Sequence, residues 1–169
     1  MFISNLLTYF PEKISKEIEE YFKEDAEEKN RAIEEIRLRA DRPLILKFNK
    51  IEIVLNTVVT QEMILKTLQK VCDNSIYSYQ NQIREGFITI KGGHRIGITG
   101  NCVIEGNKVS NINYISSLNF RIAKEIKGSS DRILKYIIDS EKNNIYTSLI
   151  VSPPGVRKNY YFKGFNKKN

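Results

Sequence analysis

The sequence predicts an α+β fold in which helices pack against one mainly antiparallel sheet. Two observations favour this class. Short segments of alternating apolar and polar residues, separated by brief turns, are typical of antiparallel strands. Segments with apolar residues at helical spacing precede and interrupt these strands, as expected of helices that cover one face of a sheet. The 169 residues suffice for one domain with a substantial core, or for one domain and a fragment.

The first predicted helix begins at Pro11 and Glu12, because proline is favoured in the first helical turn. Its apolar face comprises Ile14, Ile18, Tyr21 and Phe22. The charged segment 23–31 that follows is expected to be a solvated helix end or a loop.

A three-stranded meander is predicted next. Period-two alternation over residues 35–40 directs Ile36, Leu38 and Ala40 inward, and Arg37 and Arg39 outward. Turns at 41–43 and 49–50 lead into strands over 44–48 and 51–55.

Two helices are predicted after the meander. Thr60 is the N-cap of the first. Its inward residues are expected to be Ile64, Leu65, Leu68, Val71 and Cys72. The second helix spans 76–84 and ends at Gly86, with Ile76, Tyr79 and Ile83 directed inward.

Strands are predicted over 87–90, 94–104, 109–114 and 117–123. Gly97 and Gly100 are expected to mark bulges or close approaches within the long second strand of this group.

The last third of the chain predicts a linker, a helix and a strand. Residues 125–130 are the expected linker, and Ser130 is the expected N-cap of a helix. Its inward residues are Ile133, Leu134, Ile137 and Ile138. An apolar strand is predicted over 145–151.

That final strand leads into Pro153, Pro154 and Gly155, and Lys158 follows three residues later. A buried strand followed by a turn with a lysine is how a phosphate-binding loop begins, because backbone N–H groups and the lysine hold phosphate there. Pro153, Pro154, Gly155 and Lys158 are therefore the predicted nucleotide-binding residues.

The loop is not completed. Arg157 stands where the motif has glycine before the lysine, and Asn159 stands where it has Ser or Thr after it. Residues 157–163 can be encoded so that dropping one nucleotide yields Gly-Lys-Thr-Thr-Thr-Leu, given a free choice of codons. This suggests the hypothesis that the chain is a frame-shifted, truncated copy of a longer ATPase and that its nucleotide site does not function.

The charge of the chain is concentrated near its end. Of the net +7, the segment 156–169 contributes +5, and the other residues comprise 22 basic and 20 acidic side chains. We therefore expect no nucleic-acid partner for the folded part.

No apolar run approaches the length of a membrane helix, and residues 1–7 lack the features of a signal peptide. Cys72 and Cys102 match no metal spacing and are expected to be reduced core residues of a cytosolic protein.

Two further groups could carry chemistry. His94 is the single histidine, and its position beside a glycine turn favours a structural hydrogen bond over a role as general base. Arg37, Arg39, Arg95 and Arg121 alternate with apolar residues on predicted strands. They provide either solubility and salt bridges, or a rigid basic surface that contacts an anion or a neighbouring subunit.

Several segments together resemble one family. They are Glu35-Ile36-Arg37-Leu38-Arg39 with Arg42-Pro43-Leu44, Ile76-Tyr77-Ser78-Tyr79 with Arg84-Glu85-Gly86-Phe87, Gly92-Gly93-His94-Arg95-Ile96-Gly97, Ser117-Leu118-Asn119-Phe120-Arg121, and Leu149-Ile150-Val151-Ser152-Pro153-Pro154-Gly155. Their combination and order are similar to the stage III sporulation protein AA family. Its members are cytosolic ATPases of endospore-forming bacteria, related to secretion and pilus-retraction ATPases.

The resemblance implies a PAS-like α+β domain over 1–124 and the linker, helix and first strand of a RecA-like P-loop domain over 125–155. Residues 156–169 would be a disordered, frame-shifted tail. ATP and Mg²⁺ are the cofactors implied for the full-length family, and none is expected for this chain.

The implied partners are further copies of the chain in a ring and membrane proteins of the sporulation channel complex. The implied location is the mother-cell cytoplasm, with a peripheral membrane position left open. The alternative is a non-enzymatic binding module whose basic tail, 156–169, contacts nucleic acid or an anionic membrane.

Overall fold

The structure is a computed structural model that describes residues 2–24, 33–49, 51–123, 136–139, 144–149 and 151. The chain divides into two units, Met1–Ala123 and Lys124–Asn169. In the first unit, helices pack on a six-stranded antiparallel sheet, so the predicted α+β class is confirmed.

The strand order across the sheet is β3-β2-β1-β6-β5-β4. The strands are β1 Glu35–Arg39, β2 Arg42–Phe48, β3 Ile51–Val59, β4 Phe87–Ile90, β5 His94–Glu105 and β6 Lys108–Arg121. The helices of this unit are α1 Phe2–Leu7, α2 Glu12–Glu24, α3 Gln61–Val71 and α4 Gln80–Arg84, and a 3₁₀ turn spans Ile76–Tyr79.

The predicted meander is confirmed as β1, β2 and β3, each antiparallel to the next. Its turns pass through Asp41 and Asn49, whose φ angles of 56° and 53° lie in the left-handed region that Asp and Asn tolerate best after glycine. Two boundaries differ from the prediction: β2 begins two residues earlier, at Arg42, and β3 continues to Val59.

One face of the sheet, termed the inner face, forms the core with the helices. It includes Ile36, Leu46, Ile96 and Phe120, all of which are almost fully buried. Ile14 and Ile18 of α2 are also fully buried, as the helical spacing predicted. The Phe10 and Phe120 ring centroids lie 4.6 Å apart, and this joins the segment between α1 and α2 to the centre of the sheet.

Helix α3 begins as predicted, because the Thr60 hydroxyl accepts the backbone N–H of Met63 at 3.2 Å. The predicted inward position of Leu65 is wrong, since its side chain is 44% exposed. Thr67 is buried instead, and its hydroxyl donates to the carbonyl of Met63 at 2.7 Å. The hydrogen bond satisfies the hydroxyl, so a polar side chain occupies a core position.

The helix predicted over 76–84 is divided into the 3₁₀ turn and α4. Ile83 is buried and Tyr79 is half-buried, but Ile76 is exposed, because the tighter 3₁₀ turn changes its direction. Gly86 ends the helical segment with a φ of 80°, as predicted.

The strands predicted over 109–114 and 117–123 form one continuous strand, β6. The pairing between β5 and β6 shifts register between Thr99 and Asn101, so Gly100 lies at an irregularity. Gly97, by contrast, is in regular pairing with Asn119. Opposite Gly100, Tyr114 has a φ of 46°, which is strained for an aromatic residue.

Both edges of the sheet are capped by side chains from helices. The Glu17 carboxylate of α2 accepts the backbone N–H of Thr57 on β3. The Gln82 side-chain oxygen of α4 accepts the backbone N–H of Thr89 on β4 at 3.2 Å. Strand addition at these positions is therefore blocked.

In the second unit, β7 Ile138–Asp139 pairs antiparallel with β8 Asn144–Ile145. Ile138 was predicted to be helical, and this is wrong, because it pairs with Ile145. The strand predicted over 145–151 is also wrong beyond Ile145: residues 146–149 have no regular structure, and Leu149 is 88% exposed. Without a strand partner, an apolar run does not adopt strand geometry. Ile133 and Leu134 lie outside the described residues, as does the predicted linker.

Candidate interaction surface

The predicted nucleotide-binding residues Pro153, Pro154, Gly155 and Lys158 lie outside the described residues, as does the basic tail. Their interpretation as an unfinished phosphate-binding loop stays a prediction. Within the described ranges, no three His, Cys, Asp or Glu side chains are grouped as they would be around a metal ion. No described helix is long and apolar enough to cross a membrane.

The described surface with the most distinctive chemistry is the second face of the six-stranded sheet, termed the outer face. The predicted strand arginines all lie on it. The first row across this face is Glu52, Lys47, Glu35, Arg121, Arg95 and Thr89, and the second is Val54, Ile45, Arg37, Asn119, Gly97 and Phe87. A third, shorter row is Arg39, Ser117 and Thr99.

Arg37 is neutralised by acidic neighbours. Its guanidinium donates to the Glu35 carboxylate from Nε at 2.9 Å and to the Glu52 carboxylate from Nη1 at 2.7 Å. These contacts raise the pKa of Arg37, with the hydrogen bond to Glu35 as the largest cause. The salt-bridge interpretation is therefore correct for this arginine.

Arg95 has a different environment. The centre of its guanidinium lies 3.5 Å from the centroid of the Phe87 ring, and the two residues occupy adjacent strands. This cation–π contact holds the guanidinium flat against the outer face, while its donors stay accessible because Arg95 is exposed.

Arg39 and Arg121 are exposed, and neither forms an ion pair with an acidic group in the described part of the chain. Arg121 lies between Glu35 and Arg95 in the first row. The outer face carries five basic side chains (Arg37, Arg39, Lys47, Arg95 and Arg121) and two acidic ones (Glu35 and Glu52), so its net charge is +3.

The centre of the outer face contains an unsatisfied acceptor. Asn119 lies between Arg37 and Gly97, and its Oδ1 atom is buried without a hydrogen-bond partner in the described structure. Because Gly97 has no side chain, the surface beside this amide is shallow.

His94 is buried, and its Nδ1 atom accepts the backbone N–H of Ala123 at 3.0 Å. An ideal Cβ placed on Gly92 would lie only 2.7 Å from Nε2, so the turn packs closely against the ring. The structural interpretation of this histidine is confirmed, because the ring ties the end of the sheet to the chain that follows it.

A second feature of this unit is an arm formed by the distal ends of β5 and β6, from Gly100 to Tyr114. Neither β4 nor β1 pairs with it. The pairing of β4 with β5 extends no further than Gly97, and the pairing of β1 with β6 extends no further than Ser117. Several apolar side chains on the arm are exposed, with Ile104 at 66% and Tyr114 at 69%, whereas Ile112 is buried. The sequence predicted strands over 94–104 and 109–114 but did not indicate that their distal ends would extend past the neighbouring strands.

The two cysteines differ in environment. Cys72 is fully buried at the end of α3, as predicted, and burial raises the pKa of its thiol to about 11. Cys102 was predicted to be a core residue, and this is wrong, because it lies exposed on the arm. Both thiols are free.

Comparison with known proteins identifies the family to which the chain belongs. The model for the family "Sporulation stage III, protein AA" matches residues 11–167. The chain is also 32% identical over 126 residues to Stage III sporulation protein AA of Bacillus subtilis (strain 168), and the alignment covers 75% of this chain and 40% of that protein. The chain thus spans about 40% of the length of this relative. The suspected resemblance is confirmed: this chain belongs to the stage III sporulation protein AA family.

Proposed function

We propose that the chain supplies the N-terminal part of a sporulation ATPase that energises a channel-like complex between mother cell and forespore. The observation that carries the proposal is the family match over residues 11–167, together with identity to a protein named for stage III of sporulation. The fold supports it, because the matched region includes the whole six-stranded sheet and the helices from α2 onward, and these elements provide most of the core of the first unit. We further propose that this unit is PAS-like.

The nucleotide-binding part of the proposal concerns residues beyond Val151. ATP and Mg²⁺ are the cofactors implied by the family. The residues at positions 157 and 159 are not the ones that a phosphate-binding loop needs to hold them. An arginine side chain stands where the backbone must approach phosphate, and an amide stands where a hydroxyl would bind Mg²⁺. We therefore propose that this chain acts through its N-terminal unit and does not hydrolyse ATP.

In the proposed setting, the N-terminal unit assembles with further copies and with membrane proteins of the sporulation complex. Among the described surfaces, we assign these contacts to the outer face and the arm. Both carry features that a purely solvent-facing surface does not need: guanidinium groups without an acidic partner among the described residues on the first, and exposed apolar side chains on the second.

A chimaera tests the proposal. The aligned region of the Bacillus subtilis protein is replaced by the aligned region of this chain, and heat-resistant spores are counted in a strain that lacks the native copy. We expect sporulation to be restored. The matched control carries Leu118→Asp, which places a charge at a fully buried position and should abolish restoration. A chimaera that accumulates normally but yields no heat-resistant spores would contradict the proposed function.

A further inference from the structure

The arm has two edges, and the edge on β5 is open. The pairing of β4 with β5 extends no further than Gly97, and one more backbone hydrogen bond joins the N–H of Ile98 to the carbonyl of Gly86 at 2.8 Å. Among the described residues, no strand pairs with that side of β5 from Gly100 to Glu105. The backbone N–H and C=O groups on this side are therefore available to a further strand.

The edge on β6 is blunted. The arm contains two register irregularities, and both place the extra residues on β6. At the base, residues 114–116 face the single residue Gly100, and nearer the tip Ser110 has no counterpart on β5. Bulges of this kind protect a strand edge from further pairing. The Gln61 side chain also donates to the Ile115 carbonyl at 2.8 Å. We therefore expect an incoming strand on β5 and not on β6.

The open segment of β5 has the same pattern in both directions. It consists of two glycines at its ends, two polar residues next to them and three apolar residues in the centre. These are Gly100, Asn101, Cys102, Val103, Ile104, Glu105 and Gly106. An antiparallel copy centred on Val103 places glycine opposite glycine, polar opposite polar and apolar opposite apolar residues. The same segment of a second copy therefore fits the open edge at every position.

The exposed side chains of the segment favour the same pairing. Ile104 is 66% exposed and Val103 is 37% exposed, so pairing would remove apolar surface from water. Glu105 is the single charged residue of the segment 100–106. Pairing centred on Val103 sets Glu105 opposite Asn101 of the second copy, whose amide can donate to the carboxylate. The two Glu105 side chains are kept apart, so like charges do not oppose each other across the contact.

We propose that two copies of this chain pair antiparallel through the β5 segment 100–106, with Val103 of one copy opposite Val103 of the other on a two-fold axis. The two arms then form one four-stranded sheet in the order β6-β5-β5-β6. The contact is isologous, so it closes at a dimer. The proposal rests on the self-assembly included in the proposed function and identifies the surface through which two copies meet.

The second arm would continue the edge that β4 begins. Both β4 and the second arm lie on the same side of β5, and both are antiparallel to it, so they run in the same direction. The paired segment is short, which places the contact in the weak, transient class, and we expect dimers at protein concentrations of about 0.1 mM.

Disulfide cross-linking of the full chain tests the register. Both variants carry Cys102→Ser, and Cys72 is buried. Val103→Cys places a thiol on the two-fold axis, where opposite residues of antiparallel strands lie about 4.5–5.5 Å apart, within the range of a disulfide. Val109→Cys is the matched control: Val109 is 36% exposed but lies on β6, so its two copies would be at least three strand spacings, about 14 Å, apart. Under mild oxidation, we expect at least about tenfold more cross-linked dimer from Val103→Cys.

Sedimentation velocity tests the contact without a new thiol. The dimer fraction of the parent chain should rise as its concentration approaches about 0.1 mM. Ile104→Lys adds a charge to the paired segment and should abolish the dimer. Val54→Lys, the matched control, adds the same charge at a 62% exposed position on β3 and should retain it. Circular dichroism shows whether both variants are folded.

Three results would overturn the proposal. They are a parent chain that stays monomeric at every concentration, equal cross-linking of the two cysteine variants, and an equal loss of dimer in the two lysine variants. The first is the result expected if another segment of the same chain covered the β5 edge. None of these results depends on the spore count that tests the proposed function, so the two can fail separately.

Discussion

The Glu17 carboxylate accepts the backbone N–H of Thr57, with its two oxygens 3.0 and 3.2 Å from that nitrogen. Glu17 belongs to α2 and Thr57 to the edge strand β3. A helical side chain thus takes the place of the strand that would otherwise pair with β3. The same contact fixes α2 against the sheet.

Glu17→Ala should reduce the free energy of unfolding by about 1–3 kcal/mol, because a hydrogen bond to a charged group is lost and the N–H of a buried residue is left without an acceptor. Urea denaturation measures this change. Glu20→Ala on the exposed side of the same helix is the control and should change stability by less than about 0.5 kcal/mol. Equal effects of the two substitutions would contradict the capping role of Glu17.

Gly100→Ala should destabilise the unit by about 1–3 kcal/mol. An added Cβ would lie 2.7 Å from the Asn113 carbonyl oxygen and 3.0 Å from the Ile115 Cα atom, and backbone atoms cannot move aside easily. Gly97→Ala is the matched control, since its Cβ would meet Asn119 at an ordinary 3.9 Å. It should be neutral or slightly stabilising, because it restricts the unfolded chain. Thermal unfolding distinguishes the two variants, and a larger loss for Gly97→Ala would show that the junction of the arm is misassigned.

The two thiols should react with a thiol reagent at very different rates in the folded protein. Cys102 is exposed and should react at once, and Cys72 is buried and should react only after denaturation. Cys102→Ser should therefore remove all fast labelling. Fast labelling that persists in this variant would contradict the burial of Cys72.

Stability should fall as pH rises from about 9 towards about 11, and Cys72 contributes to this loss. Its pKa is raised from 9.0 to about 11 in the folded state, chiefly by burial, so the unfolded chain releases the thiol proton first. Above the unfolded pKa, the unfolded state binds fewer protons and is favoured. In Cys72→Ala, the decrease measured by urea denaturation over this range should be smaller than in the parent chain. An identical decrease in both proteins would contradict the assignment.

Calorimetry with ATP and Mg²⁺ should detect no binding to this chain. Arg157 and Asn159 replace the glycine and the hydroxyl residue that the phosphate-binding loop requires. Lys158→Ala, the matched variant, should behave like the parent. Micromolar affinity that disappears in Lys158→Ala would show that the loop is functional.

The sequence predicted most of the first unit correctly where a local pattern determines the structure. Alternation directed Ile36 and Leu38 inward, and helical spacing identified Ile14 and Ile18 as core residues. The sequence-based predictions failed where contacts between residues distant in the sequence determine which side chains are buried. Leu65 was expected to point inward but is exposed, and Thr67 is buried instead, because its hydrogen bond to Met63 makes burial of the threonine acceptable.

The candidate surface was only partly predictable. The alternation placed the four arginines on exposed sheet faces. It could not show which side chains they contact, because those contacts depend on the order of the strands in the sheet. Only the register shows that Arg37 reaches Glu52 two strands away and that Arg121 lies beside Arg95. The exposure of Cys102 was missed for the same reason: its exposure depends on where the neighbouring strands end.

The capped edges of the sheet determine where this protein is vulnerable to misassembly. Because Glu17 and Gln82 each occupy a backbone donor of the edge strands β3 and β4, we expect an extended segment of another polypeptide to add backbone hydrogen bonds most readily along the arm. Aggregates formed during overproduction should therefore begin at residues 100–114. A lysine in place of exposed Ile104 should increase the soluble yield without altering the core, and this would make crystallisation of the unit more practical.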